Sequence, residues 1–146
     1  MRVALLRNIL LPLALFFSIL AIGQKEDDNL IIVTVADTAK LYERVRQAIA
    51  YSDFIIKQDS NRDTLRTSSE RIGRSTIFVA AKVVIAGNKV EISGLQSLGY
   101  QDFWGEPGRP RSSTRISYNN KGSEEWWRIR SIAMKLDGKM EYAKIQ

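Results

Sequence analysis

The residues best equipped for chemistry lie in one stretch, Tyr100-Gln101-Asp102-Phe103-Trp104-Gly105-Glu106-Pro107-Gly108-Arg109-Pro110-Arg111. Rigid aromatic rings beside guanidinium groups can stack on a sugar ring or engage an anionic or peptide ligand, and Trp and Arg are enriched at binding hot spots. On that reading Tyr100, Phe103, Trp104, Arg109, Arg111 and Arg115 are the candidate ligand-binding residues. The competing reading has Phe103 and Trp104 tucked under a sheet edge as a satellite core, with the Pro/Gly segment an ordinary loop. A wider basic stripe, Arg62, Arg66, Arg71, Arg74, Arg109, Arg111 and Arg115, can read phosphate or acidic glycan. It can equally be a solvated face whose arginines pair with neighbours such as Asp63 and Glu70.

Composition excludes more than it suggests. The 146 residues contain no histidine and no cysteine, so a Ser-His-Asp triad, a Cys nucleophile, a disulfide and the usual His/Cys metal, haem and iron-sulfur sites are all closed. No Gly-rich phosphate loop, calcium loop or metalloprotease pattern is present. Glu124 and Glu125 are adjacent and splay apart, so they make no acid/base dyad. The catalytic class left open is a carboxylate-dependent, carbohydrate-active enzyme using carboxyls from distant positions. The sequence itself points to no catalytic residue, metal or cofactor.

The amino terminus reads as a leader. Arg2 and Arg7 precede an apolar run from Ile9 to Ile22, which is interrupted by Pro12 and too short for the ~20 apolar residues of a membrane span. Ala21 and Gly23 place signal-peptidase cleavage between Gly23 and Gln24, so residues 1–23 are expected to be a cleavable signal peptide. The leader holds two cations and no acid, so its removal lowers the net charge from +6 to +4. Export without cystines favours a bacterial envelope, with a periplasmic or extracellular destination.

The remaining chain is long enough for one domain. Residues 24–29 are polar and acidic, a flexible lead. Leu30 to Val35 is a β-branched strand. Asp37 and Thr38 offer helix-start oxygens, and Leu41, Val45, Ala48 and Ile49 make one helical stripe ending near Tyr51-Ser52-Asp53. Phe54 to Gln58 and Thr64 to Ser69 read as strands around a turn at 59–63. Ser75 to Ala86, mostly apolar on both parities in its middle, reads as a central strand, and Gly87-Asn88-Lys89 turns it into Val90 to Ser93. Gly94 to Gly122 is rich in Gly and Pro and reads as a long loop, with Arg115 to Tyr118 a short edge strand. Ser123 caps a last helix whose stripe is Trp126, Ile129, Ala133, Leu136 and Met140, with Gly138 as a point where it could shorten. Trp126 and Trp127 point about 100° apart, so one is core and the other partly exposed.

The expected fold is α+β, an antiparallel sheet of four to five strands with a helix after the first strand and a C-terminal helix packed on one face. The element order, the hairpin Ser75 to Ser93 and the phrase Lys89-Val90-Glu91-Ile92-Ser93-Gly94 leading to Tyr100-Gln101-Asp102-Phe103-Trp104 carry a likeness. Over Leu30 to Ile145 the chain resembles small exported Bacteroidetes domains of unknown function with a TATA-binding-protein-like fold. That resemblance implies a helix-gripped sheet used for binding and brings no catalytic residue with it. The expected function is therefore that of an exported, non-enzymatic binding or scaffold domain and a stable monomer. Its expected partner is an envelope protein or an anionic glycan, with nucleic acid disfavoured and membrane contact only transient through the leader. A structural subunit of an envelope assembly is a further alternative.

Overall fold

The computed structural model describes residues 23–105, 113–119 and 122–146. The leader up to Ile22, together with Arg109 and Arg111, lies outside the described residues. The elements in order are β1 (Leu30–Val35), α1 (Leu41–Ala50), β2 (Ile56–Ser60), β3 (Thr64–Thr67), β4 (Glu70–Arg71), β5 (Ile77–Ala86), β6 (Lys89–Leu98), β7 (Thr114–Arg115), α2 (Glu124–Met134) and β8 (Gly138–Ala143). The fold is α+β, and the antiparallel sheet has eight strands rather than four to five. Its main path runs β2-β3-β5-β6-β1-β8, with β4 beside β5 and β7 beside β6.

The pairing sorts side chains onto two faces. Val83 stands opposite Ile92, Ile92 opposite Ile31, and Leu65 opposite Val83. These residues join Val33, Val35, Val79, Ala81 and Val90 in one buried cluster with Leu41, Val45, Ala48 and Ile49 of α1 and Trp126, Ile129, Ile132 and Ala133 of α2. Both helices thus contribute their apolar stripes to one cluster with these strand residues. The other parity carries Lys82, Ser93, Leu95, Arg66 and Arg115 and forms the open face of the sheet.

Two departures from the sequence reading enlarge the sheet. Strand β6 does not stop at Ser93 but continues through Gly94 to Leu98, pairing with β5 as far as Ile77. Gly94 is not a breaker here. A Cβ at that position would lie 2.8 Å from Ile116 Cδ1 and 2.9 Å from Ile129 Cγ2, so glycine is what lets α2 and the segment after β7 close onto the strand. The second departure is at the carboxyl end. Helix α2 stops at Met134, and Gly138–Ala143 is a strand paired along all of β1. Close approach again explains the glycine, since a Cβ on Gly138 would lie 2.6 Å from the Thr34 carbonyl oxygen.

The helix starts also differ. Ser123 accepts from the Trp126 N–H at 3.1 Å, a side-chain cap as expected, with Glu124 and Glu125 in the first turn. Before α1, Asp37 instead accepts from the Ala39 N–H at 2.8 Å and organises the preceding turn, and Lys40 enters the helix with φ 52° and no side-chain cap.

The lead makes hydrogen bonds to the rest of the domain. Asp28 and Asn29 are buried, Asp27 N–H donates to the Tyr118 carbonyl at 2.9 Å, and Asn29 Oδ1 accepts from the Ile145 N–H at 2.8 Å. Gln24 Oε1 accepts from the indole N–H of fully buried Trp126 at 2.8 Å. Removing that acceptor strands a buried donor, so Gln24→Ala is expected to lower stability by about 1–3 kcal/mol. A denaturant midpoint unchanged from wild type would contradict that assignment.

Candidate functional site

The segment after β6 folds back over the open face. Phe103 is 1% exposed. It does not belong to the main cluster, and neither does Ala80, which is fully buried on the open-face parity of β5. Phe103 is thus buried outside the main cluster, and a ring closed off from solvent offers no surface to a ligand. Tyr100 is 73% exposed and packs edge-on against Phe78 with ring centroids 5.8 Å apart.

Trp104 is held by its backbone and its ring. Its N–H donates to Asp102 Oδ1 at 3.2 Å, and Asp102 in turn pairs with Lys57 at 2.6 Å. The indole N–H donates to the Thr67 carbonyl at 2.7 Å. That acceptor is open because the Ala81 N–H bonds to the Thr67 hydroxyl at 2.9 Å instead of completing the ladder. The Arg66 guanidinium carbon lies 5.7 Å from the Trp104 ring centroid, within cation–π range.

These anchors bring Trp104 to the edge of a cavity of about 270 Å³ on the open face, lined by Lys82, Ser93, Leu95, Trp104, Arg115 and Ile145. Register explains the lining. Arg66 stands opposite Lys82, Lys82 opposite Ser93, and Leu95 opposite Arg115. Cations therefore come from neighbouring strands β3 and β5 on one side and from β7 on the other. Arg66 and Lys82 are like charges in a direct cross-strand pair, an arrangement that costs stability. Elsewhere Arg46, Lys57, Arg62, Arg128, Lys139 and Lys144 each have a carboxylate within 4.0 Å. Arg66, Lys82 and Arg115 have none among the described residues, a state they share with other cations such as Arg44, Arg71, Arg74 and Lys89.

Of the sequence candidates, the cavity thus unites Trp104 and Arg115. It leaves Tyr100 outside its lining and adds Lys82 and Ser93, with Arg66 beside it as the cross-strand neighbour of Lys82. The signal for Lys82 was present, as a lone charge on the open-face parity of an otherwise apolar strand. Arg62, expected in the basic stripe, belongs elsewhere: it pairs with Glu43 and lies 4.7 Å over the Tyr42 ring. On the same side the Tyr42 hydroxyl donates to Asp59, and Arg46 reaches both. The hydrogen bond to Tyr42, with a smaller contribution from Asp59, raises the Arg46 pKa above the ordinary guanidinium value.

Two further hollows are present, one of about 450 Å³ between α1 and β2 lined by Arg46, Gln47, Ala50, Phe54, Ile55 and Ile56 and one of about 120 Å³ lined by Ile77, Gln96, Ser97, Leu98 and Thr114. The lining of none of the three contains Asp or Glu. Among the described residues there is no group of acidic side chains placed to hold a metal ion, and no helix is long and apolar enough to cross a membrane. No family model, curated protein or solved structure matches the chain.

Proposed function

We infer that this chain is a small, exported, non-catalytic domain of a bacterial envelope that binds an anionic glycan on the open face of its sheet. The observation that carries the reading is that Lys82 and Arg115 line one cavity beside Trp104, with Arg66 directly opposite Lys82 on the neighbouring strand, and that none of the three cations has a carboxylate within 4.0 Å among the described residues. A fold that tolerates like charges directly opposite one another gains if an anion completes them. Trp104 supplies a flat apolar face for a sugar ring, and the Ser93 hydroxyl supplies a donor and acceptor for its hydroxyls. The leader supports export, and the likeness to exported Bacteroidetes domains with a TATA-binding-protein-like fold belongs to the same proposal.

Titrating the purified protein with an oligogalacturonate and with a neutral oligosaccharide of equal length, followed by tryptophan fluorescence, tests this. Saturable binding of the acidic sugar alone is expected, weakening as salt screens the charges over a Debye length of ~10 Å at 0.1 M. Trp104→Ala is expected to weaken it about tenfold. Equal affinity for the neutral sugar, or an affinity indifferent to salt, would refute the reading.

A further inference from the structure

The sheet ends on β2 and β8, and the two edges are finished differently. Along β2 the register shifts between Ile56 and Gln58, an irregularity of the kind that keeps an edge from recruiting another strand. Strand β8 has no such break: it pairs with β1 continuously from Val35↔Gly138 to Leu30↔Ala143. Among the described residues no strand lies on its outer side.

Ladder alternation fixes which groups that edge presents. The Val35 N–H donates to the Asn88 carbonyl at 2.9 Å, so Ile31, Val33 and Val35 turn their backbone groups to β6 and Leu30, Ile32 and Thr34 turn theirs to β8. Their partners Ala143, Glu141 and Lys139 are thereby engaged with β1. Gly138, Met140 and Tyr142 point their N–H and C=O groups outward.

We propose that this edge takes a second copy of the chain, β8 against β8 in antiparallel register about a two-fold axis at Met140, so that one sheet runs through both protomers. Every outward backbone group then meets a partner, Met140 against the partner's Met140 and Gly138 against the partner's Tyr142. On the open face Lys139 stands opposite the partner's Glu141, and Glu141 opposite the partner's Lys139. Sliding the strands by two residues, the smallest step that keeps the outward groups facing, sets Lys139 against the partner's Lys139 or Glu141 against the partner's Glu141. Like charges directly opposite disfavour both slips, so the charge pattern selects one register. Within one chain Lys139 Nζ lies 3.0 Å from Glu141 Oε1, and the pairing across the axis closes a ring of alternating charge.

A second observation marks the same edge. On the flank of α2, Trp127 is 43% and Met134 61% exposed. Arg130 ties them to the strand: its guanidinium carbon lies 4.9 Å from the Trp127 ring centroid, Nη1 reaches Met134 Sδ at 3.0 Å, and Nε donates to the Tyr142 hydroxyl at 3.0 Å. This exposed apolar stripe borders β8 on the helix side, where a second copy shields it. The dimer replaces the monomer expected from the sequence.

The test is light-scattering mass across a concentration series. Wild type is expected to run as a concentration-dependent dimer. Lys139→Glu and Glu141→Lys, each placing like charges across the axis, are expected to weaken the dimer roughly tenfold or more. The double variant K139E/E141K restores it, and so does an equimolar mixture of the two single variants, because opposite charges then face each other in the heterodimer. Melting curves verify that the variants fold. A wild type that stays monomeric throughout, single variants that dimerise like wild type, or a mixture that stays monomeric would each overturn the proposal.

Discussion

Trp126→Ala is expected to lower folding stability by about 3–5 kcal/mol, the cost typical of removing a large aromatic side chain from a packed core. The side chain is fully buried and touches Tyr118 and Tyr142 with ring centroids 5.9 and 6.2 Å away. Its backbone N–H meets the Ser123 cap, and its indole N–H meets Gln24. One ring thus joins the start of α2, the last strand and the amino-terminal segment. A domain of this size has a total stability of only about 5–15 kcal/mol, so the variant stands near unfolding at growth temperature. Urea denaturation measures the loss. The neighbouring Trp127→Ala should cost about 0.5 kcal/mol or less, since its ring is already partly in water and no buried partner depends on it. Equal costs for the two would contradict the assignment of Trp126 as the anchor.

Lys82→Glu is expected to move stability and binding in opposite directions. The substitution turns the direct Arg66–Lys82 opposition from a like-charge into an opposite-charge pair, worth roughly 0.2–1 kcal/mol to the fold. It also places a carboxylate in the lining of the cavity, where an anionic ligand must sit. Affinity for an acidic oligosaccharide should fall about a hundredfold, because attraction at close range is replaced by repulsion. The pairing of calorimetric titration with thermal melting reads both effects. A variant that loses affinity and stability together would identify Lys82 as a structural residue instead. The trade of stability for function that this sign difference expresses is common at binding sites.

The sequence disclosed the local elements better than the long-range ones. Periodicity found α1 and the start of α2, and alternation found β5, because each pattern is complete within a few turns or residues. Gly94 read as the end of a strand because a glycine needed for close packing and a glycine needed for a turn are the same letter. The carboxyl end misled for a related reason. Leu136 and Met140 continue the helical spacing of Trp126, Ile129 and Ala133, while the alternation of Lys139-Met140-Glu141-Tyr142 that marks β8 is too short to outweigh it. Half of the candidate site was visible, since Trp104 and Arg115 stand out by type. Arg66 was visible only as one arginine among many, and its opposition to Lys82 depends on pairing β3 with β5, a register that no local pattern encodes.

The position of the ligand is the most direct test. Backbone and indole amide resonances of the isotopically labelled protein, followed during titration with an oligogalacturonate, report which residues it touches. The account expects shifts confined to the open face, at Lys82, Ser93, Leu95, Arg115 and the Trp104 indole N–H, with α1 and the outer flank of α2 unmoved. Shifts centred on the groove between α1 and β2, or no shifts at saturating sugar, would contradict it.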